Sequence, residues 1–186
     1  VQRLTIAEAD GMTALGRTLA AELRAGDLLV LSGPLGAGKT TLTRGIGAGL
    51  DVRGRVASPT FVLARTHPSL GDGPPLVHVD AYRLQSALEL DDLDIDYARS
   101  VVVVEWGAGL LDGVAESWLE LEIERPTGAG SAADGTGEGG TDDAADSDPA
   151  DASELGADEP RTVTIRGVGP RWAGTAYAEG SAPEAK

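Results

Sequence analysis

Leu28-Leu-Val-Leu-Ser-Gly33-Pro-Leu-Gly36-Ala-Gly38-Lys39-Thr40-Thr41 reads as a buried strand, a glycine-rich turn and the start of a helix. Gly33, Gly38, Lys39 and Thr40 occupy the fixed places of the phosphate-binding loop pattern. Each residue type has a physical reason. Wrapping a polyphosphate with backbone N–H groups needs a chain that takes positive φ and lets the backbone come close. The helix that follows adds unpaired N–H groups and the positive end of its dipole. Lys39 reaches the β- and γ-phosphates as a point charge, and the Thr40 hydroxyl suits Mg²⁺. The reading therefore gives the phosphate contacts to Gly33, Leu35, Gly36, Ala37, Gly38, Lys39, Thr40 and Thr41. Lysine usage sharpens it: only Lys39 and Lys186 occur among 15 basic residues. A flexible ammonium stands where a rigid guanidinium fork would suit phosphate less well.

The rest of the chain supports a single α/β domain. With 186 residues, one Phe, three Tyr and three Trp, its core is built from Val, Leu, Ile and Ala. Without cysteine there is no disulfide framework and no thiolate metal site or nucleophile. His67 and His78 are too few for a histidine-based zinc site. No apolar run approaches the ~20 residues of a membrane span, and the N-terminus lacks a signal-peptide pattern. A cytoplasmic location with no membrane association is expected.

Charge is unevenly placed. Residues 127–160 hold 10 of the 30 acidic residues and no Lys or Arg, so the remainder carries −5 of the net −15. Neither portion has the basic face of a free-standing nucleic-acid binder. The acidic stretch is rich in Gly, Ala, Asp and Ser, with Leu155 as its one large apolar residue. It cannot bury enough surface to offset ordering entropy, so disorder is expected. It lies between two alternating segments, residues 118–124 and 161–166, and reads as a long insertion in the turn of a terminal antiparallel hairpin.

Other elements follow from periodicity. Thr5-Ile-Ala-Glu8 matches a capping box ahead of a helix over residues 13–23. The strand at residues 28–32 is followed by a helix over about 39–50. Residues 61–66, 76–80 and 101–106 read as strands, and 87–93 as a short acidic helix. The expected fold is P-loop NTPase-like, three-layer α/β, with a mixed, largely parallel sheet and a terminal antiparallel hairpin. The P-loop domain spans 1–126, the insertion 127–160, its closing strand 161–172 and a flexible tail 173–186.

Two apolar strands end in carboxylates, Asp80 and Glu105, and both compete to organise Mg²⁺. The carboxyl ends of parallel strands gather where α/β ligands bind. Ser58, Pro59 and Thr60 follow the first crossover, where either a γ-phosphate-sensing loop or a rigid turn fits. Tyr82 and Arg83 face a substrate or partner, or Tyr82 joins the core. His78 sits in an apolar strand, and a satisfied core histidine is the simpler reading. Trp106 either packs near the nucleotide or fills the core.

In order, Gly33-Pro-Leu-Gly-Ala-Gly-Lys-Thr-Thr41, Ser58-Pro-Thr-Phe61, His78-Val-Asp-Ala-Tyr-Arg83, Glu89-Leu-Asp-Asp-Leu93 and Val104-Glu-Trp-Gly107 resemble the TsaE (YjeE) family over residues 13–124 and the closing strand. These are small bacterial ATPases of tRNA threonylcarbamoyladenosine synthesis. The resemblance implies weak intrinsic ATPase activity with ATP and Mg²⁺. It implies work with the TsaD and TsaB proteins, tRNA being met only through that complex, with hydrolysis resetting the complex between turnovers. It also implies Mg²⁺ ligation by Thr40 and Glu105, an Asp80 needed for activity, and a switch-like segment at Ser58, Pro59 and Thr60. Pro34 departs from the aspartate common in the family, and the acidic insertion is not a family hallmark. A small-molecule P-loop kinase would want an arginine-rich lid, and none follows Ala98. A non-hydrolysing nucleotide switch is the other alternative, distinguished by the absence of phosphate release.

Overall fold

The central apolar runs become neighbours in one seven-stranded sheet. The computed structural model describes residues 1–59, 61–84, 86–109, 115–125 and 159–178. Its strands are β1 (Gln2–Ile6), β2 (Leu28–Ser32), β3 (Ala64–His67), β4 (Leu76–Asp80), β5 (Val101–Glu105), β6 (Trp118–Glu124) and β7 (Arg161–Val168). The α-helices among the described residues are α1 (Ala9–Ala20), α2 (Lys39–Gly49) and the short α3 (Ala87–Asp91). The sheet order is β1-β7-β6-β2-β5-β4-β3. The middle strands β6, β2, β5 and β4 run parallel, while β7, β1 and β3 are antiparallel to their neighbours. The mixed α/β sheet with a parallel centre and a terminal β6–β7 hairpin is as expected.

Burial explains why the strands read differently in sequence. β2, β4 and β5 are covered on both faces, which is why they appear as unbroken apolar runs. Leu29, Leu31, Leu76, Val101 and Val103 pack beneath the helical layer with Met12, Leu19, Leu42 and Ile46. Leu28, Val30, Val77, Val79, Val102 and Val104 face the other way and meet Leu90 of α3. Leu84, Leu93 and Ile95 complete that cover. β6 alternates because its inner face alone is buried, at Leu119, Leu121 and Ile123.

The helical layer is close-packed. A Cβ on Gly45 would stand 2.3 Å from the Thr13 carbonyl oxygen, and one on Gly16 would stand 2.4 Å from that of Leu42. Glycine in these two helices is therefore a packing requirement. It outweighs the ~1 kcal/mol propensity cost of glycine in a helix.

Several local expectations are corrected. Residues 2–6 form β1, paired antiparallel with β7, in place of a lead-in to a capping box. Glu8 caps α1 with no side-chain hydrogen bond, and the helix starts at Ala9. The pattern Leu4, Ile6 alternates and packs on the core, so ladder hydrogen bonds win over a local cap. The strand expected from residue 61 starts at Ala64. The Val62 and Leu63 amides both donate to the Pro59 carbonyl at 2.9 Å, making a turn, with Leu63 at φ 65.

The tail expected to trail loosely from residue 173 packs instead as far as it is described. Tyr177 is buried, Gly167 bridges to Ala178, and the N-terminal ammonium donates to the Ala178 carbonyl at 2.7 Å. Residues 179–186 lie outside the described residues. So does the insertion except Glu159 and Pro160. The ends of that segment meet: Arg125 pairs with Glu159 at 3.0 Å, beyond the Glu124–Thr162 register pair.

Candidate nucleotide site

The parallel register brings the candidate groups to one sheet edge. Leu31 of β2 lies opposite Glu105 of β5, and Glu105 opposite Asp80 of β4. Both carboxylates therefore stand at the carboxyl ends of adjacent strands, next to the loop that leaves β2. The loop turns back between β2 and β6: a Cβ on Gly33 would meet the Ile123 carbonyl at 2.5 Å. Gly38, at φ 104, is the N-cap of α2 with no side-chain cap. A left-handed cap that presents N–H groups to a ligand is a position for glycine.

Thr40 and Glu105 meet. The Thr40 hydroxyl donates to Glu105 Oε1 at 3.0 Å, across 65 residues of sequence, and both side chains are buried. The same oxygen lies 2.8 Å from His78 Nε2. A hydroxyl and a carboxylate at the mouth of a phosphate loop are hard oxygen donors of the kind Mg²⁺ takes. Among the described residues no group of three or more His, Asp or Glu is arranged to hold a metal.

Asp80 is buried but engaged differently. Its Oδ1 accepts the Tyr82 amide at 3.0 Å, capping the 3₁₀ turn Ala81–Arg83, and its own amide donates to the Leu63 carbonyl at 2.8 Å. Through Leu63 and Pro59, the segment after the first crossover is tied to the end of β4. Of the switch-like residues, Pro59 is buried and Ser58 half-buried, and Thr60 lies outside the described residues.

Lys39 is held by its own loop. Its Nζ donates to the Gly33 and Pro34 carbonyls at 2.9 and 3.0 Å and stands 3.7 Å from the centroid of the Trp106 ring. Trp106 owes that place to a left-handed backbone, φ 64, while its amide continues to bond the Leu31 carbonyl at 2.9 Å. A bulky residue at positive φ is strained. Here the strain turns the ring over the lysine instead of along the strand. Tyr82 meets the Trp106 ring edge-on, 5.4 Å between centroids, and is 72 % exposed, so it is not core. Leu35, at the loop tip, is 87 % exposed. Arg83 lies in the turn beside Tyr82 and is not buried.

Two residues of this neighbourhood were missed or undervalued from sequence. His78 reads as a core histidine, yet its ring bonds the candidate metal ligand; a lone polar residue two places before Asp80 in a doubly buried strand is the available signal. Arg161 reads only as the start of the closing strand. It is buried beside the loop, its Nε 3.7 Å from where a Cβ of Gly38 would stand. No sequence signal locates it, because that contact depends on strand order.

Known proteins are similar to this chain. Residues 6–131 match the family model described as "Threonylcarbamoyl adenosine biosynthesis protein TsaE". A Streptomyces coelicolor protein named tRNA threonylcarbamoyladenosine biosynthesis protein TsaE is 54% identical over 165 residues, covering 87% of this chain and 94% of its own. Its namesake from Bacillus subtilis is 37% identical over 116 residues, covering 60% of this chain and 70% of its own. The crystal structure of Bacillus subtilis YdiB superposes with a TM-score of 0.58 at 24% identity, over 91% of this chain and 86% of that one. The last likeness concerns the fold alone.

Proposed function

Because this chain belongs to the TsaE family, we propose that it is an Mg²⁺-dependent ATPase required for threonylcarbamoyladenosine modification of tRNA, acting with TsaD and TsaB. The observation that carries the chemistry is the buried Thr40–Glu105 contact at the start of α2. It joins a phosphate loop to a carboxylate from another strand, which a merely glycine-rich turn has no reason to do.

The residues divide the work. Backbone N–H groups of residues 33–41 and the end of α2 bind the phosphates. Lys39 exchanges the Gly33 and Pro34 carbonyls for phosphate oxygens. Thr40 and Glu105 hold Mg²⁺, which neutralises charge on the β- and γ-phosphates when bound. Asp80, one strand over from Glu105, orients or deprotonates the attacking water. Tyr82, Arg83 and Trp106 lie at the same edge, where nucleotide or partner contacts fall. The tRNA is reached through the complex, in the cytoplasm.

The test adds the purified chain, with and without ATP, to the TsaD–TsaB pair and counts modified tRNAs per complex. Repeated turnover should require both the chain and ATP. Equal turnover without the chain overturns the assignment, and a flat calorimetric titration of the folded chain with Mg-ATP, partners supplied, removes its basis.

A further inference from the structure

His78 is a fully buried polar side chain to which the proposed reaction gives no part. It lies mid-strand in β4, opposite Val103 and between Val77 and Val79. Strand periodicity puts Leu76, His78 and Asp80 on one face, and Leu76 and Val103 belong to the core under the helices. An imidazole in that place costs free energy unless it is hydrogen-bonded. Among the described residues its bond is the one from Nε2 to Glu105 Oε1, at 2.8 Å, and Nδ1 has no partner. A carboxylate only accepts, so Nε2 is the donor of this bond.

Two donors from different elements thus converge on one oxygen: the Thr40 hydroxyl from α2 and the His78 ring from β4. A glutamate at a strand end has three rotatable side-chain bonds, and these two contacts remove its freedom. The second carboxylate oxygen is left for other work. We propose that His78 is a positioning residue for the Mg²⁺ site, holding the Glu105 carboxylate against Thr40 before nucleotide and metal arrive. This rests on the proposed function for the metal, though not for the contacts themselves. Groups that orient a metal ligand change metal affinity by about ten- to a hundredfold when removed.

The experiment titrates Mn²⁺, as a paramagnetic stand-in for Mg²⁺, into the full chain saturated with ADP, and reads free Mn²⁺ by electron paramagnetic resonance. ADP binding in EDTA is measured alongside. His78→Leu should weaken Mn²⁺ binding about tenfold and leave metal-free ADP binding within about twofold. His78→Gln, whose amide nitrogen reaches the place of Nε2, should restore Mn²⁺ affinity to within about threefold. His78→Leu combined with Glu105→Ala should bind Mn²⁺ no more weakly than Glu105→Ala alone. If the leucine variant does not fold, His78→Asn, polar but too short to reach Glu105, replaces it with the same expected loss. Unchanged Mn²⁺ binding, equal losses with and without metal, or no rescue by glutamine each overturn the positioning role. Should Glu105→Ala itself leave Mn²⁺ binding intact, the ligand assignment under the proposed function falls, and this inference with it. A loss in Glu105→Ala with none in the His78 variant overturns only the latter.

Discussion

At the scale of single residues, the site is a set of groups whose partners differ in kind. Lys39 is satisfied by two loop carbonyls and an aromatic face, all of which a triphosphate can replace. Lys39→Ala should lower ATP affinity about ten- to a hundredfold, the worth of a lost charge-assisted hydrogen bond, as measured by calorimetry. Glu105→Ala should weaken binding in Mg²⁺ more than binding in EDTA. Equal effects would move the metal to Asp80. His67 gives a pH dependence of stability, to which His78 beside the site contributes. Burial pushes the His67 imidazole below the ordinary value of 6.5. The unfolded chain then takes up a proton near 6.5 that the folded chain refuses, so stability falls as pH drops through that value toward the folded one. Thermal midpoints between pH 7 and pH 5 should fall less steeply in His67→Gln than in the wild type.

At the scale of elements, the phosphate loop and the three doubly buried strands were legible because their signals are local. Consecutive Val and Leu residues do not depend on which strand lies beside them. β1 was not legible, since its last residues, Thr5 and Ile6, also belong to a capping pattern that ends at Glu8; pairing with β7 from the far end of the chain decides between the two. The α1–α2 contact is another element-level fact. The sequence shows glycines in both helices, and only the crossing shows that a methyl group has no room. Gly45→Ala should cost about 1–3 kcal/mol by overpacking against Thr13, seen as a lower denaturation midpoint without a change in slope. Because α2 carries Thr40 in its first turn, the same variant should also loosen Mg-ATP binding.

At the scale of the whole molecule, the C-terminal turn clamps the fold together. Arg171 donates from Nε and Nη2 to the two oxygens of buried Asp27, and lies 4.1 Å from the centroid of the Trp172 ring. Arg171→Met leaves that carboxylate buried with the Arg24 amide but no countercharge, and should lower stability by about 3 kcal/mol in denaturant unfolding. The acidic insertion makes the opposite kind of prediction. Its ends are already joined by β6, β7 and the Arg125–Glu159 pair. Replacing residues 127–158 by a four-residue turn shortens the loop about eightfold, three doublings, and should raise stability by about 2 kcal/mol. Metal-dependent nucleotide affinity should not change.

The residues 28–41 alone were enough to announce a strand, a phosphate loop and a helix, because glycine placement and an apolar run encode those within one stretch of chain. Tertiary structure decided which carboxylate stands with Thr40. Asp80 and Glu105 end equivalent strands, and the strand pattern alone makes each an equal candidate; only the family resemblance singled out Glu105. Placing β5 directly beside β2, with β4 one step further out, brings Glu105 to 3.0 Å from the Thr40 hydroxyl and slides His78 behind it. Strand order is a property of how whole faces are covered, so no local reading of either acidic residue contains it.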